Sequence, residues 1–199
     1  MGITDRKKRQ KEEVRSQILS TAWAIVKEEG WQSLSIRRIA EAIEYSVPII
    51  YEHFENKEAI LNQFGMEGYR MLAKVLKTAK DKDPDPARQL QSMALAYWNF
   101  AQKNKEHYQL MFGVGMACCE VKMCGSEKKL YKDLMMEPIM VIISNKKNTD
   151  TNPCLKFHTF WSILHGLVSI RLTGNSEVSN DLNKMVLEDA ISGFIKNLN

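Results

Sequence analysis

Long apolar runs, paired cysteines and a strong excess of one charge are all missing from this sequence. The longest apolar runs, such as Ile139–Ile143, are far too short to span a bilayer. The 4 cysteines are not spaced like a disulfide framework, and no secretory signal pattern precedes them. The formal net charge is only +4, so any nucleic-acid-binding surface must be local. We therefore expect a cytoplasmic protein with reduced thiols and no membrane partner.

Catalytic and metal-binding motifs are missing as well. The chain has no Gly-rich phosphate loop, no His-x-x-Glu-His pattern and no nucleophile elbow. The Gly-Val-Gly at 113–115 lacks the preceding strand that a dinucleotide fingerprint requires. Cys118, Cys119 and Cys124 match no zinc-ligand spacing; a thiol switch is the alternative, but we interpret them as ordinary reduced thiols. We expect no enzyme, no metal site and no cofactor.

What the sequence does contain is apolar residues at helical spacing along most of its length. A long helix is predicted from Lys57 to about Lys80, where two prolines among aspartates at 81–86 break it. Further helices are predicted over 87–104, 105–112, 126–145, 153–173 and 181–198. Residues 113–125 give no readable pattern, and no strand alternation is present. The predicted fold class is all-α.

The stretch 35–61 predicts two short helices across a turn. Ser35 is a helix N-cap residue ahead of a first amphipathic helix. Ser46 and Pro48 begin a second helix that runs to about Phe54, and Asn56 caps the long helix. This arrangement is typical of a helix-turn-helix, whose second helix enters the DNA major groove. An earlier amphipathic helix, over about 14–29, would complete a three-helix head.

Several polar positions in this stretch match a known family. The residues Ile39-Ala40, Ser46, Tyr51-x-His53-Phe54 and Lys57-Glu58-x-Leu61 closely resemble the DNA-binding domain of TetR-family transcriptional regulators, which are bacterial. The match covers roughly residues 12–61. Where the family usually has Ala-Gly-Val in the turn, this chain has Ile43-Glu44-Tyr45. Because the glycine there eases a positive φ angle, we expect Glu44 to carry strain of about 1 kcal/mol.

The resemblance implies which residues contact DNA. Phosphate contacts are expected from the Ser35 helix start, Tyr51, His53 and Lys57, and from at least one of the two exposed arginines after Ser35. The start of the second helix is apolar, which favours thymine methyls, DNA shape and water over bidentate hydrogen bonds. The predicted DNA-binding residues are Ser35, Arg37, Arg38, Tyr45, Ser46, Val47, Pro48, Ile49, Tyr51, His53 and Lys57.

The second half of the chain carries a looser resemblance. The runs Tyr108-Gln109-Leu110-Met111-Phe112 and Trp161-x-x-x-His165-Gly166 resemble the C-terminal domain of a TetR subfamily named after its Trp-His-Gly signature. This implies a helical ligand-sensing and dimerisation domain. Methionine and aromatic side chains re-pack around varied apolar ligands, although each is also compatible with ordinary core. The predicted ligand-binding residues are Met93, Tyr97, Met111, Phe112, Met116, Met136, Met140, Phe160, Trp161 and His165.

These observations predict a basic N-terminal arm (residues 1–11), a helix-turn-helix domain (12–56) and a helical ligand-binding and dimerisation domain (57–199). The basic arm either is a solvated terminus or contacts DNA. Operator half-sites lie roughly 34–36 Å apart, so a homodimer through the last two helices is expected. The predicted function is a ligand-responsive transcriptional regulator, with repressor as the expected sign, released from operator DNA by a small, largely apolar effector. The alternatives are a helical lipid or small-molecule binder, and a protein-interaction adaptor with a degenerate head.

Overall fold

The computed structural model describes residues 3–113, 126–145, 151–174 and 179–198. Within these ranges every regular element is a helix, which confirms the all-α prediction. The helices are α1 (Ile3–Glu29), α2 (Ile36–Ala42), α3 (Val47–Tyr51), α4 (Lys57–Lys80), α5 (Pro86–Lys103), α6 (Lys105–Phe112), α7 (Ser126–Ser144), α8 (Pro153–Leu172) and α9 (Asn180–Leu198), with a 3-10 turn at Trp31–Ser33. The predictions for Met116, Cys118, Cys119 and Cys124 fall outside the described residues.

The N-terminal basic segment is helical. Helix α1 begins at Ile3, so residues 3–11 continue the first helix as about two more turns, instead of preceding it as an arm. Arginine, lysine and glutamine are good helix formers, and Asp5 lies in the first turn, where a negative charge is favourable. Sequence periodicity missed this extension because its side chains over 4–11 are all exposed and leave no apolar pattern.

Helices α2 and α4 begin with the side-chain caps that the sequence predicts. The Ser35 hydroxyl accepts a hydrogen bond from the Arg38 N–H at 3.2 Å, and the Asn56 side chain accepts one from the Ala59 N–H at 2.8 Å. Ser46 precedes α3 without a side-chain cap bond, so the predicted capping by Ser46 is wrong. Helix α3 also ends at Tyr51, three residues before the predicted end, in a turn that leads to Phe54.

The turn between α2 and α3 has the predicted backbone. Glu44 has a φ of 59°, and it is the one non-glycine residue with a positive φ in the described part of the chain. Its side chain is exposed, so no packing compensates for the left-handed conformation. The expectation of strain is confirmed, with a cost of about 1 kcal/mol.

The head packs around a core shared by α1, α2, α3 and the start of α4. Each helix contributes a fully buried isoleucine, namely Ile18, Ile39, Ile50 and Ile60. Phe54 closes this core from the turn after α3. Ile50 and Phe54 are four residues apart and both buried, which turns the other face of α3 outward.

The remaining helices form a second core. Helix α4 packs against α5, α6 and α7, and α5 packs in turn against α7, α8 and α9. Helical spacing along α4 predicts that Val75 is buried, but Val75 is 37% exposed; Tyr69 is buried instead. Tyr69 fits because its hydroxyl donates to the Met111 carbonyl oxygen at 3.0 Å. None of the helices in the described ranges is long and apolar enough to cross a membrane.

Candidate DNA-binding surface and ligand cavity

Helix α3 presents an exposed, mixed aromatic and apolar face. Tyr45 is 41% exposed and Tyr51 is 52% exposed, and Ser46 and Pro48 are exposed between them. Val47 and Ile49 are half-buried. Most of the residues predicted to read bases are therefore accessible, in a short helix whose other face is fixed in the head core. The two tyrosine hydroxyls supply polar groups beside an otherwise apolar face.

The two arginines of α2 differ in their surroundings. Arg37 is highly exposed and pairs only with Glu41, one turn away on the same helix, at 2.9 Å. Arg38 is held by both carboxylate oxygens of Glu29, at 2.5 and 2.9 Å, and by the Ser33 carbonyl. This pairing raises the pKa of Arg38 and ties α2 to the end of α1. Of the two, Arg37 is the one whose guanidinium is available to a ligand outside the head.

The C-terminal end of α3 is fixed to α1 by Arg15. Its guanidinium donates to the His53 carbonyl oxygen at 3.0 Å and lies 4.2 Å from the centre of the Phe54 ring. His53 is half-buried, and its Nδ1 has no hydrogen-bond partner. Burial lowers the pKa of His53, and the positive charge of Lys11 adds to this effect. Lys11 in the helical basic segment therefore lies close enough to influence the predicted phosphate-contacting end of α3.

Helix α6 joins the body to the head. Leu110 is buried in the head core, although it belongs to the body by sequence. The Trp31 indole N–H donates to the Glu106 carbonyl oxygen at 2.8 Å, and Lys27 pairs with the Glu106 carboxylate at 3.0 Å. Helix α4 is the covalent connection between head and body, and α6 supplies a second, non-covalent one. Nothing in the spacing of α6 signalled this, because Leu110 also fits a body core.

A buried histidine lies at this junction. His107 is 5% exposed, and neither of its ring nitrogens has a hydrogen-bond partner in the part of the chain that the structure describes. Its ring is 4.3 Å from the ring of Trp23, which itself contacts Phe64. Burial lowers the pKa of His107; Glu67 and Glu106 oppose the shift, and Lys27 adds to it. The junction thus holds a neutral imidazole between α1 and α6.

Helices α4 and α6 approach closely at Gly68. A Cβ atom at Gly68 would lie 2.5 Å from the Met111 sulfur, 3.1 Å from Met111 Cγ and 3.3 Å from His107 Cβ. Gly68 is buried, and Gly65 one turn before it is buried too. Two glycines three residues apart in α4 were a readable signal of a close helix crossing. The consequence is that α4 and α6 cannot shift independently at this point.

An open cavity of about 480 Å³ lies among α4, α6, α7 and α8. Its walls are mainly aromatic, and two basic side chains belong to its lining. The lining residues are Tyr69, Leu110, Met111, Phe112, Gly113, Tyr131, Lys132, Phe157, His158 and Trp161. Because Leu110 and Met111 belong to both the cavity wall and the α6 junction, a ligand in the cavity would contact the helix that touches the head.

A hydrogen-bonded chain of side chains lies close to the cavity. The Tyr97 and Tyr108 hydroxyls are 2.9 Å apart, and the Tyr108 hydroxyl is 2.7 Å from His165 Nδ1. The His165 ring stacks on Trp161, with centroids 4.9 Å apart. Burial lowers the pKa of His165 and raises that of Tyr108. In the tautomer with its proton on Nε2, a neutral His165 accepts from Tyr108, which leaves Tyr108 free to accept from Tyr97.

The predicted ligand-binding residues separate into groups. Met111, Phe112 and Trp161 line the cavity, and Tyr97 and His165 lie in the adjoining hydrogen-bonded chain. Phe160 packs against Phe194 of α9 instead, at a centroid distance of 5.2 Å. Met93 is fully buried in the body core, while Met136 and Met140 line a separate, open groove on α7, with Met140 52% exposed. Tyr69, Tyr131, Lys132, Phe157 and His158 were not foreseen as cavity residues.

Helices α8 and α9 carry an apolar surface that no described residue covers. Five large apolar side chains are exposed there: Leu155, Ile170, Leu182, Met185 and Val186. Leu155 and Met185 are each more than 60% exposed. Scattered exposed apolar residues are ordinary on a monomer, but two adjacent helices sharing several of them are typical of an interaction surface.

Sequence comparison identifies both halves of the chain. Residues 18–64 match the family described as "Bacterial regulatory proteins, tetR family". Residues 90–193, more than half of the chain, match the family described as "Tetracyclin repressor-like, C-terminal domain". The chain belongs to the TetR family. The predicted family is thereby confirmed, and since the members of this family are transcriptional regulators, the protein is a regulator and not an enzyme. The Trp-His-Gly subtype stays a prediction.

Individual relatives are distant. An uncharacterized HTH-type transcriptional regulator of Haemophilus influenzae is 25% identical over 120 residues, which span 57% of this chain and 64%, just under two thirds, of the relative. A Rhodococcus sp. RHA1 protein of unknown function has a similar structure, with a TM-score of 0.75, 19% identity and coverage of 92% and 94% of the two chains. FadR of Bacillus subtilis in complex with stearoyl-CoA has a TM-score of 0.69, 16% identity and coverage of 89% and 98%. These structures establish the fold of this TetR-family protein.

Proposed function

We propose that this TetR-family protein is a ligand-responsive repressor that binds operator DNA as a homodimer and is released by a small, largely apolar effector. The observation that carries the proposal is the exposed face of α3, held in a rigid three-helix head that contacts the ligand-cavity wall through α6. The domain division follows, with a DNA-binding head (12–56), a ligand-binding and dimerisation body (57–199), and the basic segment (1–11) as an addition to the DNA-binding surface. Its place of action is the cytoplasm, where the chromosome lies.

DNA binding rests on the outward face of the head. Tyr45, Pro48 and Tyr51 enter the major groove, and Tyr51, His53 and Lys57 contact phosphates along the neighbouring backbone. Ser35 and its helix start contribute a further phosphate contact, and Arg37 reaches the backbone on the other side. Since Arg38 is held by Glu29, its role is to fix α2 within the head, and we assign it no DNA contact.

Dimerisation through α8 and α9 would join two heads. Covering the five exposed apolar side chains of these helices in a four-helix interface removes them from water. One head with a five-residue α3 contacts too little DNA to bind an operator alone. A two-fold dimer supplies two heads for half-sites one turn apart.

The effector acts through α6 and α4 together. A ligand in the aromatic cavity contacts Met111 and Phe112, whose helix is fixed to α4 at Gly68 and to the head at Glu106 and Leu110. A ligand that favours a different position of α6 changes the spacing of the two heads, and linkage requires that DNA weaken its binding by the same factor. The complex of the B. subtilis relative with stearoyl-CoA supports an effector that is mostly apolar.

Salt-dependent binding to random duplex DNA, with a sizing column alongside, tests the proposal. Each phosphate contact lowers the slope of log affinity against log salt by about 0.9, so Lys57→Met should make the slope of a dimer shallower by about 1.8. Lys82→Met is the matched control, since Lys82 is exposed beyond the end of α4 that lies away from the head. A dimer without salt-dependent binding contradicts the proposal and favours the lipid binder or the adaptor.

A further inference from the structure

Lys132 is a cation on the wall of an otherwise apolar and aromatic cavity. It lies on α7, is half-buried, and belongs to the cavity lining together with His158 of α8. Its ammonium lies 5.4 Å from the centre of the Phe157 ring. Contact with a ring face holds the charge in place but satisfies none of the three N–H donors of the ammonium.

The acidic groups around Lys132 are engaged elsewhere. None of the described residues in the cavity lining is acidic. On the same helix, Asp133 pairs with Lys129 at 2.5 Å and Glu137 pairs with Lys80 at 2.5 Å. No described carboxylate lies within ion-pair distance of Lys132. Among the described residues, Lys132 therefore has no anionic partner at the wall of the open cavity.

An unused hydrogen-bond donor lies in the same wall. The buried Trp161 indole N–H has no hydrogen-bond partner among the described residues, and the Tyr131 hydroxyl belongs to a residue of the same lining. The Tyr69 hydroxyl, by contrast, already donates to the Met111 carbonyl oxygen. As far as its lining is described, the cavity thus combines aromatic walls with one cation and one unused donor, and it offers no charged acceptor.

We propose that the effector is an amphipathic anion whose acid group binds the Lys132 ammonium and whose alkyl or aromatic body fills the cavity against Phe112, Phe157 and Trp161. Tyr131 donates a second hydrogen bond to the acid group, and His158 flanks it. This inference rests on the proposed function in one respect only, which is that the bound anion acts as the effector. The binding chemistry itself is independent of whether the head binds DNA.

Calorimetric titration of the full-length protein tests this assignment. The probes are decanoate and decyl phosphate as the two sources of an anionic head group, with 1-decanol as the uncharged match of the same chain length. A hydrogen bond to a charged group corresponds to roughly a ten- to hundredfold change in affinity. Wild-type protein should therefore bind at least one of the anions about ten- to a hundredfold more tightly than 1-decanol, and the tighter of the two identifies the head group.

Three variants assign this preference to one residue. Lys132→Met should abolish the anion preference while 1-decanol still binds, which also shows that the variant is folded. Lys132→Arg should keep the preference. Lys74→Met is the control, because Lys74 is exposed on α4 outside the cavity lining, and its removal should leave the ratio unchanged.

The outcomes separate this inference from the proposed function. Equal affinity for anion and alcohol in the wild type, an unchanged ratio in Lys132→Met, or no saturable binding of either anion would overturn the assignment. A wild-type protein that prefers the anions but shows no salt-dependent DNA binding would support the anion site and contradict the proposed repressor function. Release of DNA by the alcohol at the same concentration as by the anion would again refute a role for Lys132.

Discussion

Replacing Gly68 by alanine tests the close contact between α4 and α6. The added methyl group would lie 2.5 Å from the Met111 sulfur and 3.3 Å from His107 Cβ, where ordinary contacts begin at about 3.5 Å. Met111 is buried in the crossing but also lines the open cavity, so either its side chain turns towards the cavity or α6 moves. The substitution therefore perturbs the crossing that fixes the cavity wall to the long helix.

Two effects of opposite sign set the magnitude. Overpacking a well-filled core costs about 1–3 kcal/mol. Alanine is a better helix former than glycine within a helix by about 0.8–1 kcal/mol. For Gly68→Ala we expect a net loss of about 1 kcal/mol in the free energy of unfolding. If the contact at Gly68 were loose, the helix propensity would dominate and the variant would be more stable than the wild type.

Urea unfolding of four proteins measures this directly. They are the wild type, Gly68→Ala, Met111→Ala and the double variant, followed by circular dichroism. Shortening Met111 makes room for the new methyl group, so in that background Gly68→Ala should stabilise by about 1 kcal/mol. The two backgrounds should differ by about 2 kcal/mol, a coupling that only neighbours show. Equal effects in both backgrounds would refute the reasoning.

Two further substitutions test the head and its junction with the body. Burial lowers the pKa of His107, so below the ordinary histidine value of about 6.5 only the unfolded chain binds the proton. The free energy of unfolding should therefore fall as pH drops from about 6.5 towards the lowered pKa. In His107→Leu this fall should be shallower by up to about 1.4 kcal/mol per pH unit. The same pH dependence of the urea midpoint in both proteins would contradict this. Ser35→Ala removes the cap of α2 and should cost about 1 kcal/mol, measured by urea unfolding; an unchanged midpoint would show that the cap is dispensable.

The head was more readable from the sequence than the body. Short-range chemistry defines it: Ser35 and Asn56 cap helices within three residues, and the burial of Ile50 and Phe54 follows from a four-residue spacing. Even the strained φ of Glu44 was predictable, because a family turn that usually has glycine there has glutamate in this chain. The helical state of residues 3–11 was missed because exposed basic residues give no periodic signal.

The cavity was less readable because it depends on which helices meet. Met140 and Phe160 have the same side-chain chemistry as Met111 and Phe112, yet Met140 lies in an outer groove and Phe160 packs against α9. Side-chain chemistry marks methionine and aromatic residues as candidate ligand contacts, but it cannot show which of them line the same cavity. Lys132 was missed because a lysine between helical apolar residues is usually solvated.

The junction at α6 changes how a signal would pass from the cavity to DNA. If α4 were the only link, a ligand would have to tilt a 24-residue helix from its middle. Helix α6 has 8 residues, and its opposite sides touch the cavity through Phe112 and the head core through Leu110. A short helix moves as a unit, and Gly68 transfers that movement to α4 by direct contact. The Trp31–Glu106 hydrogen bond is then the element to test: Trp31→Phe should leave the cavity intact but raise the effector concentration needed to release DNA. An unchanged release concentration would assign the signal to α4 alone.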